Sequence, residues 1–330
     1  MTPGATPDGE RPVVVVTRRL PGAVEDAVAA RFEARFNTLD DPFEPAVLED
    51  AMREADALLC TVTDRLTARL LDVAKRRVRV VANFGVGVNN IDLAAARAAG
   101  VTVTNTPDVL TDDTADLAMA LLLAVARRVG EGERLVRADA WPGWTPTQLL
   151  GTRVTGKVLG IVGYGRIGRA VARRAHFGFG MRILHHSRRP HAAAPGDPPA
   201  EFRARLEDLL PECDALTLHC PATSETRHLI DERALARLRP TAFLVNTARG
   251  DVVDEAALVA ALRDGRIAGA GLDVYEREPR LAAGLRELAN VVLLPHLGSA
   301  TTETRTAMGL RALANLEAFF DGREPPDRVA

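Results

Sequence analysis

Val158-Leu159-Gly160-Ile161-Val162-Gly163-Tyr164-Gly165-Arg166-Ile167-Gly168 carries a short apolar run straight into a glycine-rich turn. The apolar half reads as a buried β-strand, and the stretch from Arg166 to Ala172 reads as a helix. In that context each glycine has a physical task. Gly163 permits the tight turn, Gly165 lets backbone approach a pyrophosphate, and Gly168 lets the helix pack closely on the strand. The N–H groups where the helix opens, at Arg166 and Ile167, suit the phosphate oxygens. The alternative is a glycine turn with a purely structural role.

The strand signal repeats on both sides of this turn. Downstream lie 181–184, 215–218, 242–245, 268–272 and 291–294, which with 158–162 make six short strands alternating with helices. Upstream, 12–17, 57–60 and 78–82 repeat the pattern in an α/β unit of about 100 residues, with a helix beginning near Glu25. The spacing predicts an α/β chain with a doubly wound parallel sheet. Between the two series, Ala115–Val129 reads as one long buried helix. A further helix spans Thr302–Phe320. It either caps the nucleotide-binding part or returns to the first one. The stretch 192–199, Ala-Ala-Ala-Pro-Gly-Asp-Pro-Pro, reads as an exposed loop.

Composition bounds the function. The 330 residues suffice for two cores, 47% are hydrophobic, and the net charge of -2 gives no reason to expect nucleic-acid binding. The three cysteines, Cys60, Cys213 and Cys220, have no metal-site rhythm, so no metal is expected and a reducing cytoplasm fits. The opening residues lack the apolar stretch of a signal peptide, and no apolar run approaches the roughly 18 residues of a membrane span.

The strand after the glycine helix ends in His185-His186-Ser187-Arg188-Arg189, with no acidic residue before Asp197. A carboxylate there would accept hydrogen bonds from ribose hydroxyls. Ser187, Arg188 and Arg189 instead offer donors and charge to a 2′-phosphate, which points to NADP(H). Solvated residues beside an NAD(H) site are the other reading. His185 or His186 could flank the adenine.

Asn246-Thr247-Ala248-Arg249-Gly250 follows a strand, where sites on such sheets open. Arg249 can grip a carboxylate with two donors at any working pH, and Thr247 and Ala248 fall beside the cofactor. Asp273 ends the next strand and could accept from a nicotinamide carboxamide. His296, after the last strand, can take and give a proton near neutrality. Its carboxylate partner is Glu276 or Glu278. His219 stands beside Cys220-Pro221, a place for a cofactor-pocket wall or for packing, while His176 and His228 read as structural or surface residues.

These pieces, with Ala82–Asp92, Asn105–Asp112 and Pro295–Ser299, resemble the D-isomer-specific 2-hydroxyacid dehydrogenases, particularly their glyoxylate/hydroxypyruvate reductase branch, from about residue 12 to residue 320. The resemblance implies Arg249, Glu278 and His296 as catalytic residues, favouring Glu278 over Glu276. It implies backbone amides of Val86 and Gly87 on the substrate carboxylate, and Thr114 beside the cofactor. NADP-preferring members carry Ser-Arg-Thr where this chain has Ser187-Arg188-Arg189. It further implies a discontinuous, flavodoxin-like substrate domain, 1–103 plus 298–330, and a Rossmann domain, 104–297, with the active site in an inter-domain cleft. A homodimer follows, in which Trp144 reaches toward the neighbouring site or packs at the interface. The expected activity is reduction of glyoxylate or hydroxypyruvate. Another D-2-hydroxy acid or 2-ketoaldonate, with NAD(H), is the alternative, and a non-catalytic dinucleotide sensor a third.

Overall fold

The computed structural model describes residues 11–330, so the reading of the chain's opening as leaderless lies outside the described residues, Arg11 apart. The chain divides into two compact units. One takes the chain up to Leu110 together with Ala300–Ala330, and the other is Thr111–Ser299.

The first unit holds five parallel strands, β1 Val13–Val16, β2 Glu33–Phe36, β3 Ala57–Thr61, β4 Val80–Phe84 and β5 Thr102–Thr104, in the order β2-β1-β3-β4-β5. That is the flavodoxin-like order. Period two along β1 sends Val13 and Val15 to one face and Val14 and Val16 to the other. Val24 and Val28 of helix Gly22–Arg31 cover the second face together with Met308, Leu313 and Leu316 of helix Thr302–Phe320. The C-terminal helix therefore returns to the first unit. Each such buried aliphatic side chain contributes about 1.5–3 kcal/mol.

The second unit holds seven parallel strands, β6 Val158–Val162, β7 Arg182–His186, β8 Ala200–Phe202, β9 Ala215–Leu218, β10 Phe243–Asn246, β11 Gly269–Leu272 and β12 Val291–Leu293. Their order is β12-β11-β10-β9-β6-β7-β8, so the winding reverses between β6 and β9. Register does the rest. Val162 pairs with Leu218, Leu218 with Asn246, Asn246 with Leu272, and Leu272 with Leu293. One row across the sheet thus ends five strands at a common edge, and Gly163, His219, Thr247, Asp273 and Leu294 are the next residues out.

Three strands lack the apolar run expected from sequence: β2, β5 and β8. All three are edge strands. Glu-Ala-Arg-Phe in β2 alternates exposed and half-buried residues, since an edge strand can be solvated on one face. The expected single helix over Ala115–Val129 is instead Thr111–Ala126 followed by Val129–Arg137. Arg128 breaks it with φ 54° and turns its guanidinium onto Glu131 at 2.7 and 2.8 Å. The stretch 192–199 is exposed over Ala192–Gly196, but Asp197 and Pro198 are drawn inward. Among the described residues no helix is long and apolar enough to cross a membrane.

Candidate active site

Gly163 adopts φ 90°, and a Cβ there would stand 2.5 Å from the Cys220 amide nitrogen. A Cβ on Gly168 would overlap the Gly163 carbonyl oxygen. Both glycines are dictated by the chain's own packing. Gly165 is not: it is exposed, and a Cβ there meets no protein atom within 4 Å. Gly165 precedes helix Arg166–Arg173, whose first N–H groups have no intrahelical partner. Arg166 is exposed, whereas Ile167 leans on the core beneath the helix. Two polar atoms at the same sheet edge, Thr247 Oγ1 and His219 Nδ1, are buried without a hydrogen-bond partner. Nearly all buried polar groups are satisfied in native proteins, so such orphans mark a place for a polar ligand. Open space at Gly165, a helix N-terminus and orphaned polar atoms at one switch point fit a dinucleotide. Cys220 is buried, whereas Pro221 is exposed and its carbonyl accepts from Thr226 Oγ1 at 2.6 Å.

At the end of β7, His185 points away from solvent and stacks on Tyr164, ring centroids 4.1 Å apart. Burial, then the charges of His191, Arg169 and His186, push its pKa down to about 4, so it is a neutral core ring and not an exposed adenine platform. His186 Nδ1 lies 3.0 Å from the Arg203 carbonyl oxygen. Ser187 Oγ donates to the Arg189 carbonyl at 2.8 Å, which shapes the turn and leaves Arg188 and Arg189 exposed beyond it. Asp197 is committed to Arg169 and Arg173.

Arg249, Glu278 and His296 follow β10, β11 and β12. His296 Nδ1 bonds Glu278 Oε2 at 2.8 Å, which leaves Nε2 outside this contact. Glu278 Oε1 accepts from the Tyr275 N–H at 3.0 Å. Burial works against the Glu278 charge, but His296, the Tyr275 N–H and Arg249 together hold its pKa below the usual carboxylate value. Arg249 is half-buried and donates to the Ala248 carbonyl at 2.7 Å. Burial lowers its pKa, and the Glu278 charge opposes that effect. Glu276 goes elsewhere: its carboxylate bonds His228 Nε2. Two carboxylates two residues apart thus serve two different imidazoles, which spacing alone could not resolve.

Several supporting residues escaped the sequence reading or carry more than it assigned. Asp273 is buried and accepts from Leu297 N at 2.6 Å and Gly298 N at 2.8 Å, on the two residues after His296. Thr114 Oγ1 donates to the Gly298 carbonyl at 2.9 Å. Together they hold His296 in the left-handed region, φ 58°, a strained conformation outside glycine. Asp273 is therefore an anchor of the histidine turn before it is any cofactor contact. Asn246 clasps the arginine turn, donating to Arg249 O at 2.9 Å and accepting from Ala248 N at 3.0 Å. For Asp273 and Asn246 the signal available in sequence was only that each closes or follows an apolar strand, while Thr114 lies in helix Thr111–Ala126.

In the first unit, side-chain amides seize the carbonyls of the turn after β4. Asn83 Nδ2 bonds the Gly85 and Gly87 oxygens at 3.2 and 3.0 Å, and Asn105 Nδ2 bonds Val86 O at 2.8 Å. The N–H groups of Val86 and Gly87 find no acceptor among the described residues. Trp144, in the second unit, is 79% exposed.

Comparison with known proteins agrees with this fold. The D-isomer specific 2-hydroxyacid dehydrogenase NAD-binding domain family matches residues 119–298. The chain is 46% identical over 325 residues to the glyoxylate reductase of Thermococcus litoralis, covering 97% of each. A crystal structure of a Thermus thermophilus protein superposes with a TM-score of 0.88 at 46% identity, over 96% of this chain and all of that one. The NADPH-dependent glyoxylate/hydroxypyruvate reductase of Sinorhizobium meliloti, in complex with NADP and malonate, superposes at 0.86 with 36% identity, over 97% of each. The fold and site define an NAD(P)-dependent oxidoreductase. The chain belongs to the D-isomer-specific 2-hydroxyacid dehydrogenase family, in its glyoxylate reductase branch.

Proposed function

We propose that this protein reduces small 2-keto acids, glyoxylate and hydroxypyruvate, with NADPH preferred. The observation that carries the reading is the His296–Glu278 pair at 2.8 Å, set at the same sheet edge as Arg249 and the glycine turn. When bound, the reduced nicotinamide supplies hydride to the 2-keto carbon. Arg249 grips the acid and polarises the keto group with its guanidinium fork. As the carbonyl oxygen gains charge, His296 passes it the proton held on Nε2, and the 2-hydroxy acid results. Glu278 fixes the ring through Nδ1, which leaves Nε2 for this transfer. The Val86 and Gly87 N–H groups are assigned to the substrate carboxylate, since the carbonyls around them are already taken. Thr247 Oγ1 and the N-terminus of helix Arg166–Arg173 are assigned to the dinucleotide.

A homodimer is part of this reading. It is supported by exposed apolar side chains gathered on Val129–Arg137 and the segment after it, with Trp144 79% and Leu150 66% exposed. Trp144 is then placed to reach a neighbouring pocket, and sedimentation measures the stoichiometry. The deciding experiment is a panel of 2-keto acids, following the loss of NADPH or NADH absorbance. Turnover of glyoxylate or hydroxypyruvate, faster with NADPH, is expected. Turnover only of a larger 2-keto acid would replace the substrate assignment, and cofactor binding without oxidation by any acid would replace the enzyme with a sensor.

A further inference from the structure

The segment after Ser187, Arg188 and Arg189 is fastened to the helix that follows the glycine turn. Asp197, with a side chain only 2% exposed, accepts from Arg169 Nη1 at 2.8 Å and Arg173 Nη1 at 3.1 Å. Its Oδ2 also takes the Ala194 N–H at 3.0 Å. Arg169 reaches back with Nη2 to the Ala192 carbonyl at 2.8 Å, and its guanidinium lies 5.7 Å from the Tyr164 ring centre. His191 completes the floor, 6.2 Å from Tyr164 and 6.4 Å from His185. One buried carboxylate and one arginine thus close the loop that begins at the exposed cations. With its side chain only 2% exposed and both oxygens held by guanidinium groups, Asp197 is closed to a ribose.

We infer that Asp197 is a positioning residue for cofactor selectivity: by tying the 187–197 loop to Arg169 and Arg173, it holds Arg188 and Arg189 where a 2′-phosphate meets them. This rests on the NADPH preference proposed above. Ion pairs gain strength when their geometry is fixed before binding, because the ordering cost is already met. A loop held in place thus favours the cofactor that carries the extra phosphate, and does little for the one that lacks it. A field argument predicts the opposite sign. Asp197 is an anion near the phosphate, so removing it frees two cations and would tighten NADPH.

The test is titration of NADPH and NADH into the full-length protein, comparing wild type, Asp197→Asn, Arg173→Gln, Arg188→Ala and the Asp197→Asn/Arg188→Ala pair. Asp197→Asn should weaken NADPH roughly tenfold and NADH less than about threefold, with Arg173→Gln giving a smaller shift in the same direction. In the Arg188→Ala background, Asp197→Asn should add little further selectivity, because the anchor acts through that cation. Arg173→Gln removes only one of the two guanidinium bonds, and keeps the test valid if Asp197→Asn does not fold. An unchanged NADPH/NADH ratio, or tighter NADPH binding, overturns the inference. Arg188→Ala without selective NADPH loss overturns the NADPH preference itself, and with it the inference.

Discussion

Gly250 and Tyr275 meet backbone to backbone: a Cβ on Gly250 would overlap the Tyr275 carbonyl and the Glu276 nitrogen. This approach presses the turn that carries Arg249 against the segment that carries Glu278. His228 ties the same two segments from the other side. Its N–H bonds Asp251 O at 2.7 Å, and its ring bonds the Glu276 carboxylate. The charges of the candidate site therefore depend on a packing relationship in which no side chain of the trio takes part.

Gly250→Ala should consequently damage both stability and turnover. The obstructing atoms are backbone, so the two segments must separate to admit one methyl group, at about 1–3 kcal/mol. Displacing Arg249 from Glu278 should lower kcat/KM by about a hundredfold. Denaturant melts and steady-state kinetics measure the two effects; an alanine variant with wild-type values in both would show that the contact yields freely.

Glu278→Gln keeps the size of the side chain but removes the negative charge beside His296 Nδ1. The ring loses its charged partner on Nδ1, so kcat for keto-acid reduction should fall. Cofactor binding should persist. An unchanged kcat would remove Glu278 from this role.

Arg249→Lys keeps the positive charge and loses the planar two-donor fork. We expect kcat/KM to fall by roughly one to two decades, mostly through weaker hold on the acid. Nearly unchanged kinetics would mean that a point charge suffices.

Asp273→Asn retains the size of the side chain but replaces one acceptor oxygen with an N–H₂ group. Leu297 N and Gly298 N both need an acceptor there, so one of them is left facing a donor, at about 1–3 kcal/mol. The strained His296 turn should relax, with kcat falling more than KM changes. If kcat stays intact while stability drops, Asp273 holds the fold alone and does not position His296.

Stability should also fall on mild acidification. His185 titrates near 4 in the folded chain because it is buried among other cations, against 6.5 as its ordinary value. Between those values the unfolded chain binds the extra proton, so stability rises with pH through the window and is lost as pH falls through it. His219, pushed to about 3 by burial, acts in the same sense. His185→Phe keeps a ring on Tyr164 and should flatten part of the decline in thermal melts between pH 6.5 and 4. An equal decline in both proteins would assign it elsewhere.

Much of this was legible in the chain itself. The central strands β1, β3, β4, β6, β9, β10 and β11 are apolar runs because both faces of a parallel sheet are covered. The glycine turn announced itself because Gly163 and Gly168 answer steric demands made by residues close in sequence or in the next strand. Arg249 and His296 stood out because polar residues that close apolar strands fall at one sheet edge whenever the strands run parallel.

Three of the four edge strands, β2, β5 and β8, were illegible, since solvation on one side frees an edge from the apolar rule, whereas the edge strand β12 kept its apolar run. The pairing of carboxylates with imidazoles was illegible too. Glu276 and Glu278 differ by two positions in sequence, yet strand register and the Gly250 approach send one to His228 and the other to His296. Asp197 read as part of an exposed loop, and only folding shows it buried between two arginines. Local propensity and hydrophobic period belong to the sequence, because they act over a few neighbouring residues. Charge partnership joins residues far apart in the chain, so only the tertiary structure could decide it.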